Sequence, residues 1–277
     1  PPTNSPPPPP PTPRDSIRRQ RQMCIRDRTW DGGSAVKAWR LPPAPEGTAA
    51  GLGAATSFAT LAPGGAYFAV GSIGGDVRIV SASGPRVMAA GQAPSFIGHL
   101  SPVTAMRFDR GAELLSTGAQ DGSLRVWEVS SGAPRAFFAN QSDGAVIDLM
   151  FTPNGKHLVS ASQRSVLVTD TVTGAAVART SIQGGRPRLA ISSDGTEIWV
   201  AGDRSGITRW RWQAGIVEAG PELGEDLRRL AIGPQGKMIA AADGARRIGL
   251  HWPGSENEPD FVRVPAAVDQ LWCSPDA

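Results

Sequence analysis

The residues best equipped for chemistry lie together in one stretch, GHLSPVTAMRFDRGAELLSTGAQDGSLRVWEVSSG, from Gly98 to Gly132. It holds the imidazole of His99, the hydroxyl of Thr117, the carboxylate of Asp121 and the indole of Trp127. An imidazole, an acid and a hydroxyl are the parts of a hydrolase triad, in which the imidazole activates the hydroxyl and the acid orients the imidazole. Thr117 fits that role poorly, because no Gly-x-Ser-x-Gly turn surrounds it. The other two histidines, His157 in KHLVSAS and His251 beside Trp252, read as strand-face residues, and no pair stands at metal-ligand spacing. Cys24 and Cys273 make neither a disulfide framework nor a metal site. The glycine-rich GSIGGD and GLGA lack a following helix pattern, which argues against a phosphate loop. No catalytic residue, no metal and no cofactor is therefore assigned.

The elements that must position these groups are short strands. In the same stretch, apolar residues alternate with polar ones through Val103–Phe108, Leu114–Leu115 and Leu124–Val129, with turn residues between, and a fourth strand is expected at Ala136–Ala139. The pattern recurs along the chain. The end of the third strand falls at Trp39, Val80, Trp127, Thr169, Trp210 and Trp252, in steps of 41, 47, 42, 41 and 42. The apolar residue closing the first strand falls at Leu61, Phe108, Phe151, Ile191, Ile232 and Cys273, in steps of 47, 43, 40, 41 and 41. Both series lengthen at the same repeat. The turns that follow, LAPGG, FDRG, FTPNG, ISSDG, IGPQG and CSPDA, suit hairpins that end on a left-handed residue, usually glycine. Six such turns at a four-strand period mark a repeat architecture.

Gly98-His99 at the start of the unit, Asp121-Gly122 in the turn and Trp127 followed by Glu128 at the end resemble the WD-repeat family of β-propellers. Glu128 stands where the family has Asp. The resemblance implies an all-β fold, a β-propeller of four-stranded antiparallel blades, with about five full blades and two partial ones, truncated at both ends. The blades would be 29–41 (partial), 54–90, 96–139, 144–181, 186–220, 227–264 and 268–277 (partial). It also implies a buried hydrogen-bonded network of His99, Thr117, Asp121 and Trp127. There Asp121 would accept from the imidazole, the imidazole from the Thr117 hydroxyl, and that hydroxyl oxygen from the indole. The other blades lack it: Gln163, Arg204 and Gly244 stand in the turn, and Val80 and Thr169 in place of the Trp. In a propeller enzyme a central channel would gather acids and histidines from the first strands. Here those strands present Ala59, Ala105, Asp148, Ala190 and Leu230, so Asp148 reads as a lone channel-lining polar residue.

Residues 1–28 are a proline run and an arginine-rich segment with too little apolar content for a core. Gln22–Arg28 looks like the translation of a transposon-end adapter used to prepare sequencing libraries. The segment is set aside as a disordered, non-native scar, which leaves 29–277 as an incomplete propeller. The formal charge is +3, but six Arg and two Asp lie in residues 1–28, and the remainder carries 22 bases against 23 acids, a net of −1. The body is not basic and lacks interleaved aromatics, which disfavours nucleic acid as a partner. No apolar run is long enough to span a membrane. The expected function is a non-catalytic scaffold in the cytoplasm, presenting a propeller face to a protein or peptide. A lactonase- or dehydrogenase-like enzyme domain, or a sensor domain of a larger signalling protein, is the alternative. The candidate partner surface is the rim of second-to-third-strand turns, where successive blades place Arg164, Arg204, and Arg246 with Arg247.

Overall fold

The computed structural model describes residues 27–30, 36–39, 56–81, 87–88, 98–138, 143–182, 185–202, 206–233, 236–253, 258–266, 268 and 271. Among them the regular structure is β-strand, with one 3-10 turn at Pro63–Gly65. Among the described residues no helix is long and apolar enough to cross a membrane. Strands β1 (Asp27–Trp30) and β2 (Val36–Trp39) form an antiparallel hairpin, which begins two residues before Thr29. The hairpin lies in one compact unit and five four-stranded sheets lie in another.

Each sheet is an antiparallel meander in chain order. Sheet I contains β3 (Thr56–Leu61), β4 (Tyr67–Ser72), β5 (Val77–Ser81) and β6 (Val87–Met88). Sheet II contains β7 (Val103–Phe108), β8 (Leu114–Ala119), β9 (Leu124–Glu128) and β10 (Pro134–Phe138). Sheet III contains β11 (Asp148–Phe151), β12 (His157–Ala161), β13 (Ser165–Asp170) and β14 (Ala176–Ser181). Sheet IV contains β15 (Arg188–Ile191), β16 (Glu197–Gly202), β17 (Gly206–Arg211) and β18 (Ile216–Ala219). Sheet V contains β19 (Leu227–Ile232), β20 (Ile239–Asp243), β21 (Arg247–His251) and β22 (Asp260–Arg263). All five first strands end on the residue that the sequence pattern assigns: Leu61, Phe108, Phe151, Ile191 and Ile232. The residue in the left-handed conformation after β7 is Ala112, at φ 55°, one position past the Gly111 of the FDRG turn, whereas after β11 it is Gly155, at φ 68°. Of the expected strand at 268–277 only Val268 and Leu271 are described, and neither lies in a strand.

The core is built between sheets. One apolar cluster joins Ala69 and Ile79 of sheet I to Met106, Leu115 and Trp127 of sheet II, and three further clusters join II to III, III to IV and IV to V in the same way. Second strands are accordingly buried on both faces, as β8 and β20 are along their whole length, and their side chains are apolar or small. Fourth strands such as β14 and β18 are largely exposed. The fourth residue of each second strand is Gly or Ala in sheets I, II, III, IV and V (Gly71, Gly118, Ala161, Ala201, Ala242) when counted from the partner of the first strand's end. Space demands it: a Cβ on Gly118 would lie 2.4 Å from the Val146 side chain leading into the next sheet. That closeness lets Val146 donate its N–H to the Ala119 carbonyl at 3.1 Å.

First strands of consecutive sheets are neighbours, and side chains stitch each to the next. The Ser57 hydroxyl donates to the Val103 carbonyl at 2.7 Å, the Thr104 hydroxyl to the Val146 carbonyl at 2.6 Å, and the Arg188 Nε to the Arg228 carbonyl at 3.0 Å. Between sheets III and IV the direction reverses, because an acid holds the position: Asp148 Oδ2 accepts from the Leu189 N–H at 2.9 Å.

Candidate functional site

The constellation singled out by residue type is assembled in sheet II. Strand β8 carries Thr117 and β9 carries Trp127, with the register pairing Leu115 to Trp127 and Thr117 to Arg125. His99 precedes β7 and is anchored by its own N–H, which donates to the Gly75 carbonyl of sheet I at 3.0 Å. A Cβ at position 98 would lie 2.3 Å from that same carbonyl, so the residue before the histidine has to be glycine. The Trp127 Nε1–H donates to Thr117 Oγ1 at 3.0 Å, and Thr117 Oγ1 lies 2.7 Å from His99 Nε2. The second ring nitrogen, Nδ1, lies 2.7 Å from the hydroxyl of Ser123. One proton arrangement satisfies every group: Thr117 donates to Nε2 and the Nδ1–H donates to Ser123.

Asp121 does not accept from the imidazole. It is exposed at the turn, where its Oδ1 accepts from the Ser123 N–H at 2.9 Å, and Ser123 stands between it and the ring. Burial opposes the charge on Asp121, but hydrogen bonds from the Ser123 side chain and backbone and from the Ser101 side chain outweigh it. With His99 nearby, they hold the carboxyl below its ordinary value. Ser123 was legible only as the third residue of the Asp-Gly-Ser turn, where a serine has a turn role of its own. His99 is 3% exposed and Thr117 and Trp127 are 0% and 1% exposed. Burial, and secondarily the nearby Arg125 guanidinium, lower the imidazole pKa to about 4 against the partial support of Asp121. The ring is therefore neutral near pH 7, as the donor and acceptor pattern requires.

The matching positions of the other sheets carry pieces of the network without the whole. In sheet III Ser160 matches Thr117 and Thr169 matches Trp127, and both hydroxyls are buried with no hydrogen-bond partner among the described residues. In sheet IV Trp210 is buried against the Ile198 position, with Val200 in place of the hydroxyl. In sheet V the residue that pairs with Ile239, as Trp127 pairs with Leu115, is His251 and not Trp252. The third-strand series read from sequence is thus one residue late there, since an adjacent Trp drew the pattern off register. Thr169→Val, which removes an unsatisfied hydroxyl while keeping the shape, is expected to raise stability by about 1 kcal/mol in urea unfolding. A loss of that size would mean that the hydroxyl has a partner.

The rim arginines separate into three cases. Arg164 is exposed in the turn between β12 and β13, its carbonyl accepting from Ile182 at 2.9 Å. Arg246 is exposed in the turn between β20 and β21, at φ 64°, with a guanidinium N–H donating to the Pro265 carbonyl at 3.4 Å. Arg247 is half-exposed and paired: its Nε donates to Oδ2 of the buried Asp243 at 2.7 Å and its N–H to Oδ1 at 2.8 Å. An acid buried at the end of β20 needs that partner. Arg204 lies outside the described residues.

Asp148 is buried, and its oxygens accept from the N–H groups of Leu149 and Leu189, both at 2.9 Å, so it braces two sheets. The row of first-strand residues Ala59, Ala105, Asp148, Ala190 and Leu230 is not in register. Counted back from the strand ends, the residues level with Asp148 are Phe58, Ala105, Arg188 and Arg229.

Comparison with known proteins adds a family description to this geometry. A model for the WD domain, G-beta repeat, matches residues 92–128. Apoptotic protease-activating factor 1 of Homo sapiens is 38% identical over 71 residues, which is 23% of this chain and 6% of that protein. Two solved structures are similar in fold. One is titled as the structure of U3-55K (TM-score 0.60, 18% identity, 77% of this chain and 65% of that one). The other is the RRP9 WD40 repeats (TM-score 0.60, 17% identity, 77% and 64%). The chain spans less than two thirds of each of these relatives.

Proposed function

From a chain that belongs to the WD-repeat β-propeller family, we propose a non-catalytic scaffold that presents the rim of second-to-third-strand turns to a protein partner. The observation that carries this reading is the state of the His99 cluster. Its imidazole is neutral, sealed from solvent and engaged at both nitrogens, and the Thr117 oxygen is engaged by both His99 and Trp127. A catalytic hydroxyl needs a path for substrate and an acid to orient its base, whereas this cluster is sealed and the neutral Ser123 hydroxyl meets Nδ1. Its chemistry is spent on holding β7, β8 and β9 in place.

Among the described second-to-third-strand turns, Arg164 and Arg246 stand exposed on two. Charge at a rim acts chiefly by raising the association rate, and salt weakens it. Reversing Arg164 and Arg246 together to Glu is expected to slow association several-fold with any partner recovered by the full chain in pull-down, and to flatten its salt dependence. Melting should barely move, because exposed charges contribute only about 0–1 kcal/mol. An unchanged association rate and salt dependence would place the contact elsewhere.

A further inference from the structure

A cavity of about 410 Å³ lies between sheets I and II, lined by Tyr67, Ala112, Glu113, Glu128, Val129 and Ser130. Tyr67 opens β4, Ala112 and Glu113 close the turn before β8, and Glu128 to Ser130 lead out of β9. The cavity therefore sits at the opposite end of the strands from the second-to-third-strand turns. Its size falls within the roughly 300–1,000 Å³ of cavities that hold a ligand.

The walls are fixed by the packing of the two sheets. Val129 belongs to the apolar cluster that joins them, and Tyr67 and Ala112 lie half-buried against it. Glu113 stands two residues before Leu115 of that cluster, so strand alternation puts its side chain on the sheet I side. Its carbonyl accepts from the Val129 N–H at 2.8 Å, which holds the acid beside the apolar wall. Glu128 follows Trp127 and alternates to the other face, so it reaches the cavity only at the edge, where its Oε2 accepts from the Ser131 hydroxyl at 3.2 Å.

The Glu113 carboxylate is exposed and enters no ion pair or hydrogen bond with the described residues, and Arg110 in the same turn does not close on it. A Cβ on Gly111 would lie 3.4 Å from Asp109 Oδ2 and 3.8 Å from the Glu113 carboxyl carbon, so a second carboxylate stands beside the first. Sheet II is alone in this arrangement. Two residues before the partner of the first strand's end, the other sheets carry Ala66, Lys156, Thr196 and Lys237. Ala112 is also particular to sheet II: it holds φ 55° where the others place Gly65, Gly155, Gly195 and Gly236, and it lines the cavity. An aromatic ring, an apolar wall and a carboxylate at the mouth suit a long side chain with an apolar stem and a cationic end. Carboxylates repel an anion, and no group of three or more His, Cys, Asp or Glu among the described residues could hold a metal ion there.

We propose that this cavity binds an arginine or lysine side chain from an extended segment of a protein partner, with Tyr67 and Val129 along its stem and Glu113 at its charged end. The proposal rests on the scaffold reading and adds a second contact surface, at the other end of the strands from the rim.

The full chain would be titrated by fluorescence polarisation against a fluorescein-labelled hexapeptide of alternating Arg and Ala. The same peptide with Glu in place of Arg, and N-acetylarginine amide as a competitor, are the comparisons. The expected result is saturable binding of the arginine peptide that weakens with salt, no binding of the glutamate peptide, and competition by the amide about tenfold weaker or more. Glu113→Gln should weaken peptide binding by about fivefold or more and Tyr67→Leu by about threefold, with Glu128→Gln costing less than Glu113→Gln. Arg164→Gln should leave it unchanged. Should Tyr67→Leu fail to fold, Glu113→Gln decides the matter, since an exposed carboxylate barely affects melting. Absent saturable binding, a Glu113→Gln variant that binds as wild type does, or equal binding of the glutamate peptide would each overturn the proposal. So would an amide that competes as well as the peptide, which would make the site one for a small cation. Self-association that Glu113→Gln abolishes and the peptide does not disturb would put a second copy of the chain in the cavity and overturn it too. The rim reading is scored separately, since it depends on the association rate of pulled-down partners and on Arg164 with Arg246.

Discussion

Trp127→Ala is expected to cost about 3–5 kcal/mol in urea unfolding, the range seen when a large buried aromatic is truncated. The indole is 1% exposed and sits in the cluster that joins sheets I and II, in company with Met106, Leu115, Ala69 and Ile79. Its loss removes apolar area from an interface between sheets, which two opposed strand faces cannot readily close. It also strips the Thr117 oxygen of its indole donor. Trp127→Phe separates these contributions: it retains most of the apolar area and deletes the hydrogen bond, so a smaller loss of about 1–2 kcal/mol is expected. A cost below about 1 kcal/mol for the alanine variant would mean that the interface repacks, and that the cluster is not what binds sheet II to sheet I.

Acidification is expected to destabilise the fold by about 3 kcal/mol between pH 6.5 and pH 4, through His99 alone. The imidazole has a pKa of about 4 in the folded chain and an ordinary value of 6.5 when unfolded. Over that interval the unfolded state binds a proton that the folded state refuses. The stabilisation is complete above the unfolded value and is lost as the pH falls toward the folded one. Protonation would put a donor on Nε2, where the Thr117 hydroxyl donates, and would place a charge where burial and Arg125 oppose it. Carboxylates such as Asp121, Asp170 and Asp194, whose folded values lie below the ordinary 3.8, give up their contribution only at lower pH. His99→Gln should therefore be less stable at pH 7 and yet show a flatter profile from pH 7 to pH 4.5. Parallel profiles for the variant and the wild type would assign the loss to other groups.

The order of strands and the place where each first strand ends could be read from the sequence, because both depend on local alternation and on turn residues that recur every forty-odd positions. The network of His99, Thr117 and Trp127 was legible through the resemblance to WD repeats, whose motif places fall on these residues. Contacts across a turn or between sheets were not. Only the tertiary structure placed Ser123 between Asp121 and the ring, because an exposed turn carboxylate finds backbone N–H groups before it can reach a buried imidazole. Only it bound Arg247 to Asp243, since an acid closing a buried strand draws in the nearest cation. The level of Arg188 and Arg229 with Asp148 also required the structure. A slip of one or two residues along a strand leaves the period intact and changes which side chains share a row, and it is pairing between strands and sheets, which the linear pattern does not record, that decides the row.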